Sequence, residues 1–527
     1  MAKGQQDNIV MPGDINVYDV RSAVKDLKEK GELIESDVEV DPDVEFAAIQ
    51  KKLDGGPALL FNNVKGQPHA RFLTNLFAQR SRIDRMFGFE DRVDRTIQIA
   101  DAINNPLKPE IVDSDEAEVH EVIHTDVDNV DDIVPPIRHT RKEPELTTGS
   151  GNSVVAGDIF DGGSHIGYNR MNFRWGDVGT FQAAPGSHMW MIQKDFYDEE
   201  DPKIPITMNF GVPPAATLAA GAGFDYVVLP KGSDELGMAG AVQGEPMRLV
   251  EASTIDGAYA LANAEYTIEG YLKPKDRRWE TAEAEESGEQ GRHPFHPEWA
   301  GYMGKAYKAT TFHVTAVTHR EDNPIIMPLI VHSADDANID TTVREAAFYE
   351  LADRIQPDIV QDVHIPYAMT DWGGVIYQID KQNPVDEGYH RNFLTAALGT
   401  SRGLRVAMAV DTDVDIYDMN EIIWALTTRV NPQDDIINPV PGGAGQAFQP
   451  AERSTAGSEQ WTQSHTEFEG GMAIDATIPY GMEEDFERPQ YNVEEVEDLT
   501  KWFTEEEVEM AEDSLEGWVE LLSKTGW

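Results

Sequence analysis

The 527-residue sequence contains no cysteine, which excludes disulfides, thiolate metal sites and cysteine nucleophiles together. Any metal the chain holds must be bound through oxygen and imidazole. Positive charge is scarce: 43 lysines and arginines stand against 95 aspartates and glutamates, for a net charge of -52. A duplex or an anionic membrane is repelled by such a surface, and no basic patch interrupts it, so nucleic-acid binding is excluded. Long apolar runs are also missing. The first thirty residues lack the apolar core of a signal peptide, and no stretch approaches the roughly 20 apolar residues of a membrane span, so the expected location is the cytoplasm. A dinucleotide fingerprint is absent as well, because Gly442-Gly-Ala-Gly445 lacks the third glycine and the strand-to-helix setting.

What is present is acid spread along the whole chain rather than gathered in a tail. Its self-repulsion is screened at molar salt, where the Debye length is about 3 Å, so the composition fits a halophile. The length implies two or three domains of mixed α/β (α+β) class. Residues 1–130 read as an α/β domain. Val20, Ala23, Val24 and Leu27 recur at helical spacing and stop at Gly31, and the run Pro57 to Val64 reads as a buried strand. An acidic segment from Asp113 to Pro136, poor in core-forming residues, marks a connection.

Residues 131–335 read as a mostly β domain with a barrel as one form, with strands at Ala264 to Gly270 and Thr311 to Ala316. Residues 336–527 return to α/β: a helix near Val343 to Arg354, a strand Gly374 to Ile379, a helix from about Arg391, and a helix Met419 to Val430 capped by Asp418. A terminal helix opens with Thr504 and Glu507 in capping-box spacing and carries a stripe of Val508, Ala511, Leu515, Trp518 and Leu522. That stripe packs either on its own domain or on a second subunit.

Asn169, Arg174, His188 and Glu235 fall near predicted strand ends or glycine turns. Asparagine oxygen, carboxylate and imidazole together suit a divalent ion such as manganese or magnesium. Taken singly, each is equally a hydrogen-bonded structural residue. Their setting adds to this: Asn169-Arg-Met-Asn-Phe-Arg174, Gly186-Ser-His188, Phe210-Gly-Val-Pro-Pro-Ala-Ala216 and Glu235-Leu-Gly-Met-Ala-Gly240 follow in the order and wording of the UbiD family. Ala264-Glu-Tyr-Thr-Ile-Glu-Gly270, the stretch Asp411 to Arg429 and Met472-Ala-Ile-Asp-Ala-Thr477 continue a resemblance that runs from about residue 15 to 480.

The resemblance implies a central split β-barrel that binds prenylated FMN, flanked by α/β domains, with a terminal helix that joins subunits into a homo-oligomer. It implies that Asn169, His188 and Glu235 hold Mn2+ (or Mg2+) against the flavin phosphate, with K+ beside it and Ser187 and Arg391 among the cofactor contacts. Arg391 stands where the family has a phosphate-binding lysine. Arg174 matches the arginine of a glutamate–arginine–glutamate network that touches cofactor and substrate. Glu298, ahead of Trp299 and Gly301-Tyr302, matches the proton-donating acid. The first glutamate is assigned to Glu289, with Glu283, Glu285, Glu286, His293 and His296 as alternatives, because the run Glu289 to Tyr302 departs from the family pattern.

The activity so implied is the reversible, non-oxidative decarboxylation of an α,β-unsaturated or aromatic acid by cycloaddition to prenylated FMN with proton donation by glutamate. A flavin prenyltransferase would supply the cofactor. Two other readings compete: an FMN-dependent oxidoreductase on the same barrel, and a non-catalytic homologue acting in assembly.

Overall fold

The computed structural model describes residues 17–157, 163–184, 186–222, 228–401, 403–438, 471–489, 496 and 498–524. The first helix, Val20–Lys30, forms as its apolar spacing predicts. Asp19 caps it by accepting the Ser22 N–H, Val20, Ala23 and Leu27 are buried, and Gly31 ends it at φ 71°. Beside it, Leu33–Ser36, Ala58–Phe61, Arg71–Thr74 and Ile325–Ile326 form one sheet in that order. Residues far along the chain thus return to complete the N-terminal layer. Ala58–Phe61 is buried along its whole length, which is why it shows no polar alternation.

The centre of the molecule is a closed six-stranded barrel. Its antiparallel circle runs Tyr266–Trp279, Ile204–Phe210, Gly149–Ala156, Ser164–Asn172, Val178–Phe181 and Lys308–His319, and the last strand pairs with the first. Closure leaves no unpaired barrel edge. A short outer strand, Val122–His124, attaches to Lys308–His319, so the central sheet begins ahead of residue 131. The acidic segment Asp113 to Pro136 that contains this strand is more than a connector: Val119, Val130 and Val134 are fully buried. Composition undercounts such a stretch, because a few apolar residues among many acids are enough to pin it to a core.

Two helices rich in small residues pack on the barrel strand Ser164–Asn172 and on each other: Pro214–Gly221 bridges to the long helix Ala334–Ile355, and Glu235–Gln243 to the helix Arg92–Asn104. That long helix starts well before Val343. Ser333 caps it, and Asp335 in its first turn accepts the Asn75 and Phe77 N–H groups at 2.9 and 2.6 Å, tying it to the N-terminal layer. The apolar pattern misses these turns because their buried side chains are polar and engaged.

The C-terminal sheet runs Val360–His364, Gly374–Ile379, Val406–Asp411, Met472–Asp475 and Ile436–Ile437, with the middle three strands parallel. Asp418 caps Met419–Thr428 through the Asn420 N–H. The Thr504–Glu507 capping box forms at the start of Glu505–Lys524. Gly442 to Gly445 and the side chains of Leu515, Trp518 and Leu522 lie outside the described residues. Among the described residues, no helix is long and apolar enough to cross a membrane.

Candidate active site

One barrel strand, Ser164–Asn172, supplies the spine of the site. Alternate side chains of a strand share a face, so His165, Gly167 and Asn169 stand together, and all three line a cavity of about 180 Å³. Ser187 and His188 close one side of it. Ser187 caps the helix His188–Asp195 by accepting the Trp190 N–H at 3.1 Å, which sets His188 at the helix N-terminus facing the strand. The lining also includes His296, Glu298 and Trp299, with Asp336, Asp340 and Trp372 from the C-terminal side.

His165, His188 and Glu235 bring their ligand atoms within 4.8 Å of one another, and all three are buried. Glu235 opens its helix, which Ser164 locks to the strand: its hydroxyl donates to Asp234 Oδ1 at 2.5 Å and accepts the Leu236 N–H at 2.9 Å. The Glu235 carboxylate lies 2.6 Å from His188 Nδ1 and 2.9 Å from His165 Nδ1, and it accepts the Ile166 N–H at 2.9 Å. Burial alone would push this carboxyl up, yet the two imidazoles hold it down at about 2. Two imidazoles and an ionised carboxylate form a donor set that fits a divalent first-row ion.

This cluster differs in one member from the ligand set expected from the sequence. His188 and Glu235 do meet, whereas Asn169 lies along the same wall with its amide engaged. Its Oδ1 accepts the Ser153 hydroxyl at 2.6 Å, and its Nδ2 donates to Gln182 O at 2.8 Å. His165 takes the place beside the carboxylate. The signal for it was in the sequence, two strand steps before Asn169 on the same face.

A second correction concerns the arginine. Arg170 is buried and carries a glutamate on either side. Nε and Nη2 donate to Glu280 at 3.0 and 2.9 Å, Nη1 donates to Glu298 at 2.6 Å, and Nη2 also reaches Lys305 O at 3.0 Å. Arg174 lies past the end of the strand, in the turn before Val178–Phe181. There it donates to Trp279 O and Glu285 and stacks over Trp175, away from the cavity.

Glu289 is likewise outside the site, exposed and paired with Arg292. The two-pronged partner of the arginine is Glu280, which the sequence reading missed. It follows directly on the strand Tyr266–Trp279 and also accepts the Tyr307 N–H at 2.8 Å. Arg391 turns to Asp475 and Asp435 at 2.7 and 2.8 Å within the C-terminal domain and does not line the cavity. Its charge is taken up by carboxylates there, away from the cavity at which a phosphate contact was expected.

Glu298, expected as the acid, lines the cavity beside Arg170. Burial, reinforced by Glu280 and opposed by Arg170, pushes its carboxyl up to about 7. Gly304 makes room for it, since a β-carbon there would collide with the Glu298 carboxyl and crowd His296 O. Two carboxyls therefore flank one guanidinium, and one of them can carry a proton near neutrality.

Comparison with known proteins identifies the family. Three family models match in succession: the N-terminal domain of 3-octaprenyl-4-hydroxybenzoate carboxy-lyase over residues 24–103, its Rift-related domain over 110–334 and its C-terminal domain over 337–476. The chain is 32% identical to a gallate decarboxylase of Lactiplantibacillus plantarum over 496 residues, 90% of this chain and 97% of that protein. It is 25% identical to an anhydromevalonate phosphate decarboxylase of Methanosarcina mazei, covering 89% and 98% of the two chains.

Among solved structures, the UbiD-class enzyme HmfF from Pelotomaculum thermopropionicum in complex with prFMN matches with a TM-score of 0.75 at 26% identity, over 92% of this chain and 100% of that one. The apo 3,4-dihydroxybenzoic acid decarboxylase from Enterobacter cloacae matches with a TM-score of 0.78 at 26% identity, over 92% and 99%. The chain belongs to the UbiD family and is a carboxy-lyase.

Proposed function

We propose that this chain catalyses the reversible, non-oxidative decarboxylation of an aromatic carboxylic acid, with prenylated FMN bound beside the His165, His188 and Glu235 cluster. The observation that carries the reading is Arg170 held between Glu280 and Glu298 at the wall of that cavity. The names of the gallate decarboxylase relative and of a phenolic acid decarboxylase of Bacillus subtilis, 26% identical, support an aromatic acid. The prFMN and FMN complexes of HmfF support the flavin.

A divalent ion, manganese in our assignment, would be held by His165, His188 and Glu235 and would grip the flavin phosphate. The N-terminus of His188–Asp195, capped by Ser187, offers its first N–H groups to the same phosphate. A potassium ion beside it rests on the family resemblance alone. When bound, the prenylated flavin supplies the electron sink for the carbon–carbon bond that breaks. The chain's own residues position the acid and move the proton. Arg170 fixes the two glutamates, Trp299, Leu329 and Trp372 wall off water, and Glu298 delivers its proton to the ring carbon that has lost the carboxylate. Because the same transition state serves both directions, high carbonate drives carboxylation.

Intact-cofactor mass spectrometry with metal analysis, on protein made alongside a flavin prenyltransferase, tests the reading. The expected result is prenylated FMN with about one equivalent of manganese. Plain FMN that turns over with a nicotinamide would overturn it in favour of an oxidoreductase. In the same assay His165→Ala and Glu235→Ala each lower metal affinity by at least about 10- to 100-fold and lose flavin with it. Asn169→Ala keeps the metal.

We further propose that the protein works in a salt-rich cytoplasm and assembles with copies of itself. The net charge of -52 supports the first, and the exposure of Trp502 and Phe503 just ahead of the terminal helix and of Met510 on it supports the second. Raising KCl from dilute buffer to molar concentration should lift the melting temperature by roughly 10 °C as self-repulsion is screened. A flat profile in differential scanning fluorimetry would remove the salt-adaptation argument.

A further inference from the structure

His296 sits on the short strand Pro294–Pro297, two residues before Glu298, and lines the same cavity while only 3% exposed. Its Nδ1 lies 2.6 Å from Pro297 O. A carbonyl oxygen can only accept, so Nδ1 carries the ring proton, and in the neutral imidazole Nε2 is left as a bare lone pair. A second ring proton is disfavoured first by burial, then by His139, which meets the ring edge to face at 4.6 Å, and by Arg170. Nε2 is itself buried and has no hydrogen-bond partner. An acceptor desolvated in this way carries a cost that a ligand donor relieves.

The surroundings say what kind of donor fits. Trp299, Leu329 and Trp372 offer flat apolar walls suited to an aromatic ring, and Glu298 presents the proton donor from the same stretch of chain. Two other acceptors in the cavity each have one oxygen taken: Asp336 Oδ2 accepts the His332 N–H at 2.7 Å, and Asp340 Oδ2 accepts the Trp372 indole N–H at 2.9 Å. We propose that His296 accepts, at Nε2, a hydrogen bond from a ring hydroxyl of the substrate, so that the chain selects phenolic over unsubstituted or etherified aromatic acids. The inference rests on the decarboxylase reading above and adds the residue that reads the ring.

The test compares kcat/KM for a dihydroxybenzoate and its dimethoxy counterpart with enzyme loaded with prenylated FMN. The ratio between wild type and variant cancels the intrinsic reactivity of each acid. In His296→Phe the preference for the hydroxylated acid should fall about 10- to 100-fold, chiefly through loss of the hydroxylated substrate, because a site built to pair a hydroxyl loses that discrimination with its acceptor. His296→Gln, whose amide oxygen can still accept, should retain most of it.

An equal loss on both acids, with decarboxylation persisting, would overturn the proposal and leave the decarboxylase reading standing. Failure of loaded wild-type enzyme to decarboxylate any aromatic acid would overturn both. Should the phenylalanine variant fold poorly, NMR of isotope-labelled histidine in the wild-type protein decides. The hydroxylated acid should shift the His296 Nε2 resonance and the dimethoxy acid should not, and no shift with either overturns the assignment.

Discussion

Replacing Glu298 with glutamine is expected to abolish decarboxylation, lowering kcat by roughly a hundred- to ten-thousandfold, while flavin content and melting temperature stay at wild-type values. Glutamine keeps the shape of the side chain and an oxygen that can accept from Arg170 Nη1, now 2.6 Å from Glu298, so the wall of the cavity is preserved. What is lost is the acidic proton. The pH profile of the parent enzyme provides a second check. Burial pushes the Glu298 carboxyl up to about 7, so the protonated, donating form is present below that pH and is lost as pH rises through it. The rate should therefore fall on the alkaline side with an apparent pKa near 7. In the glutamine variant the remaining activity should show no such limb. Wild-type turnover by the variant would sink the assignment of Glu298 as the acid.

The second large effect separates two arginines four residues apart. Arg170→Gln removes the two-pronged partner of Glu280, which is 1% exposed, and leaves that carboxylate buried without its counter-charge. The expected cost is about 3–5 kcal/mol of stability together with loss of turnover. Arg174→Gln gives up a 3.5 Å pair with Glu145 and a 3.1 Å pair with Glu285, whose side chain is 52% exposed. Solvent screens such pairs, and with the bond to Trp279 O also lost the cost is about 1–2 kcal/mol, below that of the Arg170 variant, and turnover should persist. Denaturant unfolding and steady-state rates on the two variants, measured side by side, check both statements. Loss of activity in the Arg174 variant with an intact Arg170 variant would reverse the assignment.

That pair of arginines also shows what a sequence reveals and what it hides. The elements were legible where local chemistry decides them: Asp19 and Gly31 at the two ends of the first helix, Asp418 before Met419, and the alternation that makes the central region mostly β. The family's wording singled out His188, Glu235 and Glu298, which the structure places at the cavity or in the cluster beside it. The arginine was misplaced because Arg170 and Arg174 sit in one string, and only the strand end separates them. The strand stops at Asn172, and Trp175-Gly176-Asp177 turns the chain, with Gly176 at φ 74°. Reading those turn residues first would have put Arg174 outside the barrel. Glu280 offered no comparable clue. A buried carboxylate among many surface acids differs from them only in having Arg170 across from it, and that contact spans 110 positions of chain.

The barrel strands Tyr266–Trp279 and Lys308–His319 pair with each other, and Trp279 stands opposite Lys308 in the register. Everything from residue 280 to 307 is thus an excursion whose two ends are stitched together at the rim of a closed cylinder. Glu280, His296 and Glu298 all belong to it. It behaves as an exchangeable cassette anchored at its two ends and at Arg170: variation elsewhere in it would alter the wall that carries His296 and Glu298, while the His165, His188 and Glu235 cluster lies on other elements and is left in place.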